Sequence, residues 1–186
     1  MNVFKIFRIP VFLVLAGILF SCVNDMDTIQ KVTFDPNAPD EASRNLVVFY
    51  NDSGYAKVEI HATLAETYRT PEHITKLKDG LQVDFFNKEG IITSSLTSLY
   101  GEINYSSGLI VAKDSVILRN FVTKKQLETE ELFWNQNDDV VYTEKNVIIR
   151  TEGKGITGRG KGLRTTQSFT KYVIKNPIGK IDLDDE

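Results

Sequence analysis

The sequence predicts an all-β protein made of short antiparallel strands. From residue 46 onward, β-branched and aromatic residues alternate with polar ones in short runs, and turn-forming residues separate these runs at even spacing. The best helical candidates, residues 62–70 and 124–134, lack a cap combined with an apolar stripe, so at most one short helix is expected. The hydrophobic content of 41% in 186 residues is sufficient for one buried core.

The expected strands form hairpins wherever a turn signal separates two of them. Asn-Asp-Ser-Gly at 51–54, Asn-Lys-Glu-Gly at 87–90 and Ser-Ser-Gly at 106–108 are such signals. In chain order the expected strands are 46–50, 55–63, 81–86, 91–97, 101–105, 109–112, 115–119, 140–143, 146–150 and 171–175.

The first 21 residues predict export. Lys5 and Arg8 precede twelve uncharged residues, 9–20, a length typical of a signal peptide and short of the roughly 20 apolar residues that span a bilayer. Leu-Phe-Ser-Cys at 19–22 resembles the lipobox of bacterial lipoproteins, in which a small Ser21 admits the signal peptidase and the Cys22 thiol takes the lipid. The alternative is an uncleaved signal anchor, with Cys22 incidental.

The remainder divides into three predicted parts. Residues 22–44 are polar and acidic, contain Pro36 and Pro39, and are expected to tether the folded body, 45–181, to the membrane. Residues 182–186 form an acidic tail. Removal of 1–21 changes the net charge from -3 to -5, which excludes a generally basic nucleic-acid binder.

An internal repeat with an offset of 31 residues predicts stacked hairpins. Leu96 then coincides with Leu127, and residues 111–118 coincide with 142–149. Similar stacked hairpins form one continuous apolar interior and leave an open strand edge at each end, where another chain can add a strand. The alternative is chance similarity among β-rich segments.

Several segments together resemble the LptC family of lipopolysaccharide-export proteins. Residues 90–105, GIITSSLTSLYGEINY, and 127–134, LETEELFW, carry much of the resemblance, which covers roughly residues 45–181. The other similar segments are 116–120, 142–149, 156–163 and 178–181. Two features depart from the family: Lys124 or Lys125 replaces a glycine, and a lipobox replaces the transmembrane helix of many members.

The resemblance implies a twisted antiparallel β-jellyroll, open along one side, that shelters the acyl chains of lipopolysaccharide. The implied partners are an inner-membrane lipopolysaccharide-export ABC transporter and an LptA-like periplasmic protein, docked by edge-strand addition. The implied location is the periplasmic face of the inner membrane, with a lipid anchor at Cys22 or else a single N-terminal transmembrane anchor. Hydrocarbon exposed to water costs about 0.8 kcal/mol per CH₂, so a lipid carrier needs an apolar trough.

Strand alternation predicts one set of inward side chains for this trough. For each of them a closed dry core is the alternative, because a one-residue slip reverses the face of a strand. The predicted lipid-binding residues are Phe85, Ile103, Tyr105, Leu109, Val111, Val116, Leu118, Trp134, Tyr142, Val147, Ile149, Tyr172 and Ile174.

The most basic stretch of the chain follows Glu152. Residues 153–158 match G-x-G-x-x-G, but the glycines after Arg159 cannot begin a helix, so a turn or bulge is expected and not a nucleotide site. The basic side chains here are candidates to contact an anionic group, such as the lipid A phosphates or an acidic partner; the alternative is a solvated edge. They are Lys154, Arg159, Lys161 and Arg164.

Groups for catalysis are scarce, and no enzyme, cofactor or metal site is predicted. His61 and His73 lie in different segments, the single cysteine is Cys22, and no G-x-S-x-G elbow occurs. The alternative functions are a β-rich lipoprotein acting as an adhesive or carbohydrate-binding structural module and, less favoured, an exported hydrolase.

Overall fold

The computed structural model of the chain describes residues 35, 37–52, 55–135, 140–166 and 169–179. The chain divides into residues 1–38 and residues 39–186, and the second unit contains every described strand. The predicted signal segment 1–21, Cys22 and the acidic tail 182–186 lie outside the described residues.

All described strands belong to one antiparallel sheet, and the described residues contain no helix, which confirms the all-β prediction. The strand order is β1-β2-β3-β4-β6-β7-β8-β9-β10, and the short β5 pairs with β3 and β6. The strands are β1 (Glu41–Asp52), β2 (Tyr55–Tyr68), β3 (Ile74–Phe86), β4 (Ile92–Ser98), β5 (Tyr100–Asn104), β6 (Leu109–Asn120), β7 (Lys125–Asn135), β8 (Val140–Thr151), β9 (Gly155–Thr166) and β10 (Tyr172–Pro177).

Most strands are longer than the sequence pattern indicated. β1 begins at Glu41, so the last four residues of the predicted tether belong to the sheet. The two helical candidates lie largely in β2 and β7, because each of these strands has a hydrogen-bonded neighbour on both sides and pairing overrides helix propensity. The glycine-rich segment predicted as a turn or bulge is mostly strand β9; only its first residues form the β8–β9 turn.

A line of irregular residues crosses the sheet at one level and interrupts the long strands. Pairing registers shift at this level in β2, β6, β7 and β8. Backbone hydrogen bonds join successive positions, with the Gly80 N–H donating to Leu99 O at 3.1 Å and the Leu99 N–H donating to Asp114 O at 3.0 Å. The residues of this bulge belt with positive φ are Asn45, Asp79, Gly80, Asp114, Ser115 and Gly162. Bulges bend strands and increase their twist.

The sheet folds over along the bulge belt, so that the two ends of its strands face each other. The ring centroids of Phe85 and Trp134 are 6.4 Å apart. On a flat sheet, the residue of β7 in line with Phe85 is Lys125, and Trp134 would lie nine residues, or about 30 Å, further along the strand. The contact therefore requires each long strand to contribute to two facing walls.

We call these two halves the first and second wall. The first wall ends at the β1–β2, β3–β4, β6–β7 and β8–β9 turns, and the second wall ends at the connections at the other end of the strands. The line along which the two sets of ends meet is the seam. A sheet folded in this way is a jellyroll, as the resemblance implied, and its two walls meet along the seam.

One apolar row crosses the strands of the first wall and, through Leu96, links the two clusters of the core. This row consists of one residue from each of the strands β1 to β4 and β6 to β9, and every member is apolar until β9, where the residue is a glycine. Leu127 and Ile149 in this row are fully buried. The two repeat pairs, Leu96 with Leu127 and Leu118 with Ile149, all lie in this row, as expected for stacked hairpins. In strand order the row is Val48, Ile60, Val83, Leu96, Leu118, Leu127, Ile149 and Gly158.

Candidate functional site

A cavity of about 190 Å³ lies between the two walls. Ile60, Val83 and Leu118 line it from the first wall, and Ile110 and Val141 line it from the second. Apart from Tyr50 and Lys57 near the β1–β2 turn, all of its described lining residues are apolar or aromatic, and none is a histidine or a carboxylate. This lining excludes water from the middle of the trough and offers contacts to hydrocarbon.

The cavity volume limits what the closed trough can hold. An apolar void of about 150 Å³ admits a small hydrocarbon, whereas pockets for whole small molecules measure about 300–1,000 Å³. The observed 190 Å³ therefore suits part of one hydrocarbon chain. A lipid with several acyl chains fits only if the walls separate.

Side chains alone hold the walls together along the described part of the seam. Tyr50 of β1 and Tyr105 of the β5–β6 turn share a hydrogen bond at one end. Burial, and then the Tyr105 hydroxyl beside it, raise the pKa of Tyr50 above its ordinary value. Further along, the Lys125 Nζ lies 5.5 Å from the centre of the Tyr172 ring. Described backbone pairing joins only strands that neighbour each other in the sheet, so the seam can open without breaking the ladders.

The buried core forms two clusters, one centred on β2, β3 and β5 and one on β6 to β9, and nine of the thirteen predicted trough residues belong to them or pack against them. They are Phe85, Ile103, Val116, Leu118, Trp134, Val147, Ile149, Tyr172 and Ile174. Phe85, Leu118 and Trp134 also line the cavity. Whether any of them touches lipid remains a prediction.

The other four, Tyr105, Leu109, Val111 and Tyr142, belong to neither cluster. Tyr105 is 49% exposed and forms part of the seam, where its ring lies 4.4 Å from that of His73. Leu109 is half-buried at the start of β6. The placement of Tyr105 reflects its position in a turn, where strand alternation no longer applies.

Val111 and Tyr142 differ from the prediction in the face on which they lie. Tyr142 stacks on Phe133 at 5.2 Å, and Val111 pairs with Phe133. Their neighbours Ala112 and Val141 line the cavity instead. Asp114 and Ser115 both lie in the bulge, and a bulge of two residues leaves the inward–outward alternation of β6 unchanged. The prediction had instead reversed the facing of the residues before the bulge.

Several cavity residues were absent from the predicted set. Val58 and Ile60 line the cavity from β2, and Leu132 lines it from β7. Simple alternation within the predicted strand 55–63 identifies the two β2 residues. Leu132 carries no such signal, because the surrounding segment lacks clean alternation and was a candidate helix.

The four basic residues lie away from the cavity. Arg159, Lys161 and Arg164 are exposed in β9, where they alternate with buried glycine and leucine, and Lys154 is exposed in the β8–β9 turn. An anion bound by the strand residues would therefore lie on the outer face of the jellyroll. Contact with such an anion remains a prediction.

The two histidines make separate contacts. His61 Nε2 lies 2.7 Å from Glu59 Oε1 on β2, whereas His73 packs on Tyr105 at the seam. Within the described residues, no three side chains of the His, Cys, Asp or Glu type converge as metal ligands. That same part of the chain contains no helix long and apolar enough to cross a membrane.

Comparison with known proteins gives one family match. The family model "LptC: Lipopolysaccharide-assembly, LptC-related" matches residues 10–174. The match spans almost the whole described jellyroll. No curated protein matches the chain.

Proposed function

The chain belongs to the LptC family, and we propose that it accepts lipopolysaccharide from an inner-membrane ABC transporter and passes it to an LptA-like jellyroll. Members of this family are non-enzymatic components of lipopolysaccharide transport, associated with the inner membrane and with a periplasmic domain. The transfer steps are the part that we propose.

The observation that carries the proposal is the apolar cavity between two walls that, in the described residues, are joined across the seam by side chains alone. Such a trough lowers the cost of moving acyl chains through water, at about 0.8 kcal/mol per CH₂. Because the lipid leaves unchanged, the trough needs apolar contact and a way to open, and no reactive group.

The sheet edges support the hand-over by strand addition. Among the described residues β1 pairs only with β2, and β10 pairs only with β9, so each has one edge available to a neighbouring jellyroll. A partner strand on either edge would continue the sheet and bring the two troughs into line. β1 offers twelve residues, whereas β10 offers six and ends in Pro177, which has no N–H to donate.

For the anchor, we propose a lipid on Cys22 that holds the jellyroll at the periplasmic face of the inner membrane. Two or more acyl chains give stable membrane attachment, whereas one gives only marginal binding. The strands begin at Glu41, so the residues from Cys22 to Asp40 are the length of chain that joins anchor and jellyroll.

Photo-crosslinking at pairs of adjacent residues, one facing the cavity and one facing outward, tests the trough. We expect a photoreactive residue at Val141 or Phe85 to form lipopolysaccharide adducts in living cells, because both line the cavity. The same residue at Tyr142 or Phe86 should form far fewer, because adjacent strand residues point to opposite faces. Adducts are measured by immunoblotting for lipopolysaccharide after irradiation.

Depletion of the protein is the companion measurement, since it should leave lipopolysaccharide in the inner membrane. Equal adduct yields at both members of each pair would contradict the trough. Saccharide binding without any lipid adduct would favour the adhesive or carbohydrate-binding alternative.

We further propose that the outer basic stretch contacts an anionic group of the lipid or of a partner. Changing Lys154, Arg159, Lys161 and Arg164 to glutamate should weaken lipopolysaccharide binding or complex assembly by about tenfold or more, since a hydrogen bond to a charged group contributes about 1.5–3 kcal/mol. Co-purification of the transporter and a lipopolysaccharide-binding titration measure the effect. The matched control reverses Lys88, Lys113, Lys124 and Lys145. Equal behaviour of the two variants would refute the contact.

A further inference from the structure

Three buried side-chain donors have no hydrogen-bond partner among the described residues. They are Ser94 Oγ, Thr123 Oγ1 and Trp134 Nε1. A buried donor without an acceptor costs free energy, so native proteins keep few of them, and each needs an explanation. We call these three groups the donor trio.

Strand pairing and packing bring the three residues of the donor trio to the same part of the seam. Ser94 pairs directly with Phe85 on one side and with Asn120 on the other. Asn120 Oδ1 accepts a hydrogen bond from the Thr123 N–H at 2.7 Å, which holds the β6–β7 turn against this position. Trp134 reaches the same point from the opposite wall, because its ring packs edge-on against Phe85.

The donor trio is also next to the apolar cavity. Phe85 and Trp134 both line the cavity, so the donors lie where it meets the seam. An amphiphile whose chain fills the cavity would place the atoms that follow its hydrocarbon at this point. All three groups can donate, and the indole N–H can only donate, so the complementary ligand atom is a hydrogen-bond acceptor.

We propose that the donor trio binds the ester or amide carbonyl that joins an acyl chain to its sugar. The inference rests on the proposed function and adds a chemical preference to it: the trough distinguishes acyl amphiphiles from alkyl ones. A carbonyl loses its water when the chain enters an apolar cavity, and donors at the entrance replace that water. An ether-linked chain gives these donors only a weak acceptor and leaves them essentially unpaired.

Two amphiphiles that differ mainly in the carbonyl test the preference. Full-length protein held in amphipol is titrated with sucrose monotetradecanoate, an acyl ester, and with tetradecyl maltoside, an alkyl ether with a similar disaccharide head. Trp134 is the only tryptophan of the chain, so its fluorescence reports binding at the seam itself. The ester is expected to bind about three- to tenfold more tightly, as one or two net hydrogen bonds provide.

Conservative variants identify the donors. Ser94→Ala, Thr123→Val and Trp134→Phe each remove a donor that has no described partner. Ser94→Ala and Thr123→Val should therefore keep the stability of the folded state in thermal unfolding, whereas Trp134→Phe also loses packing against Phe85 and should lower it. Ser94→Ala and Trp134→Phe should each reduce the ratio of ester to ether affinity about twofold or more. Ser94 is not among the cavity-lining residues, so Ser94→Ala should leave the affinity for the ether unchanged, whereas Trp134→Phe alters the lining and is judged by the ratio alone. The Trp134→Phe variant is measured by displacement of a fluorescent fatty acyl probe. Ser95→Ala, on the neighbouring residue of β4, is the matched control and should keep the preference.

The outcomes separate the two proposals. Equal binding of ester and ether by the unaltered protein overturns the carbonyl preference and leaves the apolar trough in place. An ester preference that persists in Ser94→Ala and Trp134→Phe also overturns it. Failure of both amphiphiles to bind contradicts the proposed function itself, and the carbonyl preference with it.

Discussion

Locking the two walls together at the seam is expected to abolish lipopolysaccharide transport. The closed cavity measures about 190 Å³, which suits part of one chain, so a lipid with several acyl chains must part the walls to enter. Tyr50 and Tyr105 join the walls at one end and are 42% and 49% exposed, which makes both positions accessible to a reagent. The variant Tyr50→Cys with Tyr105→Cys, bridged by a cleavable bis-maleimide, would hold the seam shut.

The readout is the amount of lipopolysaccharide that reaches the partner jellyroll or the outer membrane. We expect at least an order-of-magnitude reduction in the bridged protein, because opening would then require breaking covalent bonds. Cleavage of the linker should restore transport. The matched control bridges Val47→Cys with His61→Cys, which pair within one wall and do not cross the seam.

Two results would count against the opening of the seam. Normal transport in the bridged Tyr50 and Tyr105 variant would mean that lipid passes without separating the walls at that end. Equal loss in the Val47 and His61 control would mean that the cross-linking chemistry, and not closure of the seam, stops transport.

Replacing Gly160 with alanine is expected to displace strand β10 and destabilise the jellyroll. A Cβ at Gly160 would lie 2.4 Å from the Asn176 carbonyl oxygen, 2.4 Å from Ile174 Cγ2 and 3.0 Å from Pro177 Cα. Two of these atoms belong to the backbone of β10, so a side-chain rotation cannot remove the clash. We expect the free energy of unfolding to fall by about 2–3 kcal/mol, near the upper end for overpacked cores.

Urea unfolding measures this loss, and hydrogen exchange shows whether β10 detaches locally. Gly158→Ala, two residues earlier on the same face of β9, is the matched control. Its nearest atoms are side-chain carbons, Ile174 Cδ1 at 3.3 Å and Ile149 Cβ at 3.4 Å, so the expected loss is below about 1 kcal/mol. A Gly160→Ala protein as stable as the Gly158→Ala protein would show that close approach of β10 does not require glycine.

The same substitution links stability to function. Among the described strands, β10 is one of two with an edge available to a partner. If the strand detaches, strand addition on that edge should be lost while the cavity, whose lining residues reach no further than β8, remains.

Sequence patterns were sufficient for the fold class and for much of the interior. Turn-forming residues at 51–54, 87–90 and 106–108 located three of the hairpin turns, because tight turns depend on local backbone preferences. The repeat that paired Leu118 with Ile149 predicted stacked hairpins, and these two residues flank Leu127 in the buried row of the first wall. These signals are local, or recur at a fixed spacing, and need no knowledge of the remaining chain.

The facing of particular side chains depended on the bulge belt. Alternation has a period of two, so the number of residues in a bulge decides which face the rest of the strand presents. In β6 the bulge holds two residues, Asp114 and Ser115, so the alternation that places Val116 and Leu118 inward continues back to Ile110 and Ala112, where the pattern had indicated Leu109 and Val111. The bulge follows from how the neighbouring strands bend, which a single strand's sequence does not specify.

The sequence by itself determined a β-rich chain with few groups for catalysis and a resemblance to one family, and it predicted export and a continuous apolar interior. Only the tertiary structure decided that the sheet folds over along the bulge belt, that Phe85 meets Trp134 across the cavity, and that unpaired donors gather at the seam. The physical reason is distance. Strand patterns arise from neighbouring residues, whereas the seam joins the far ends of strands, and its contacts exist only once the whole sheet has bent.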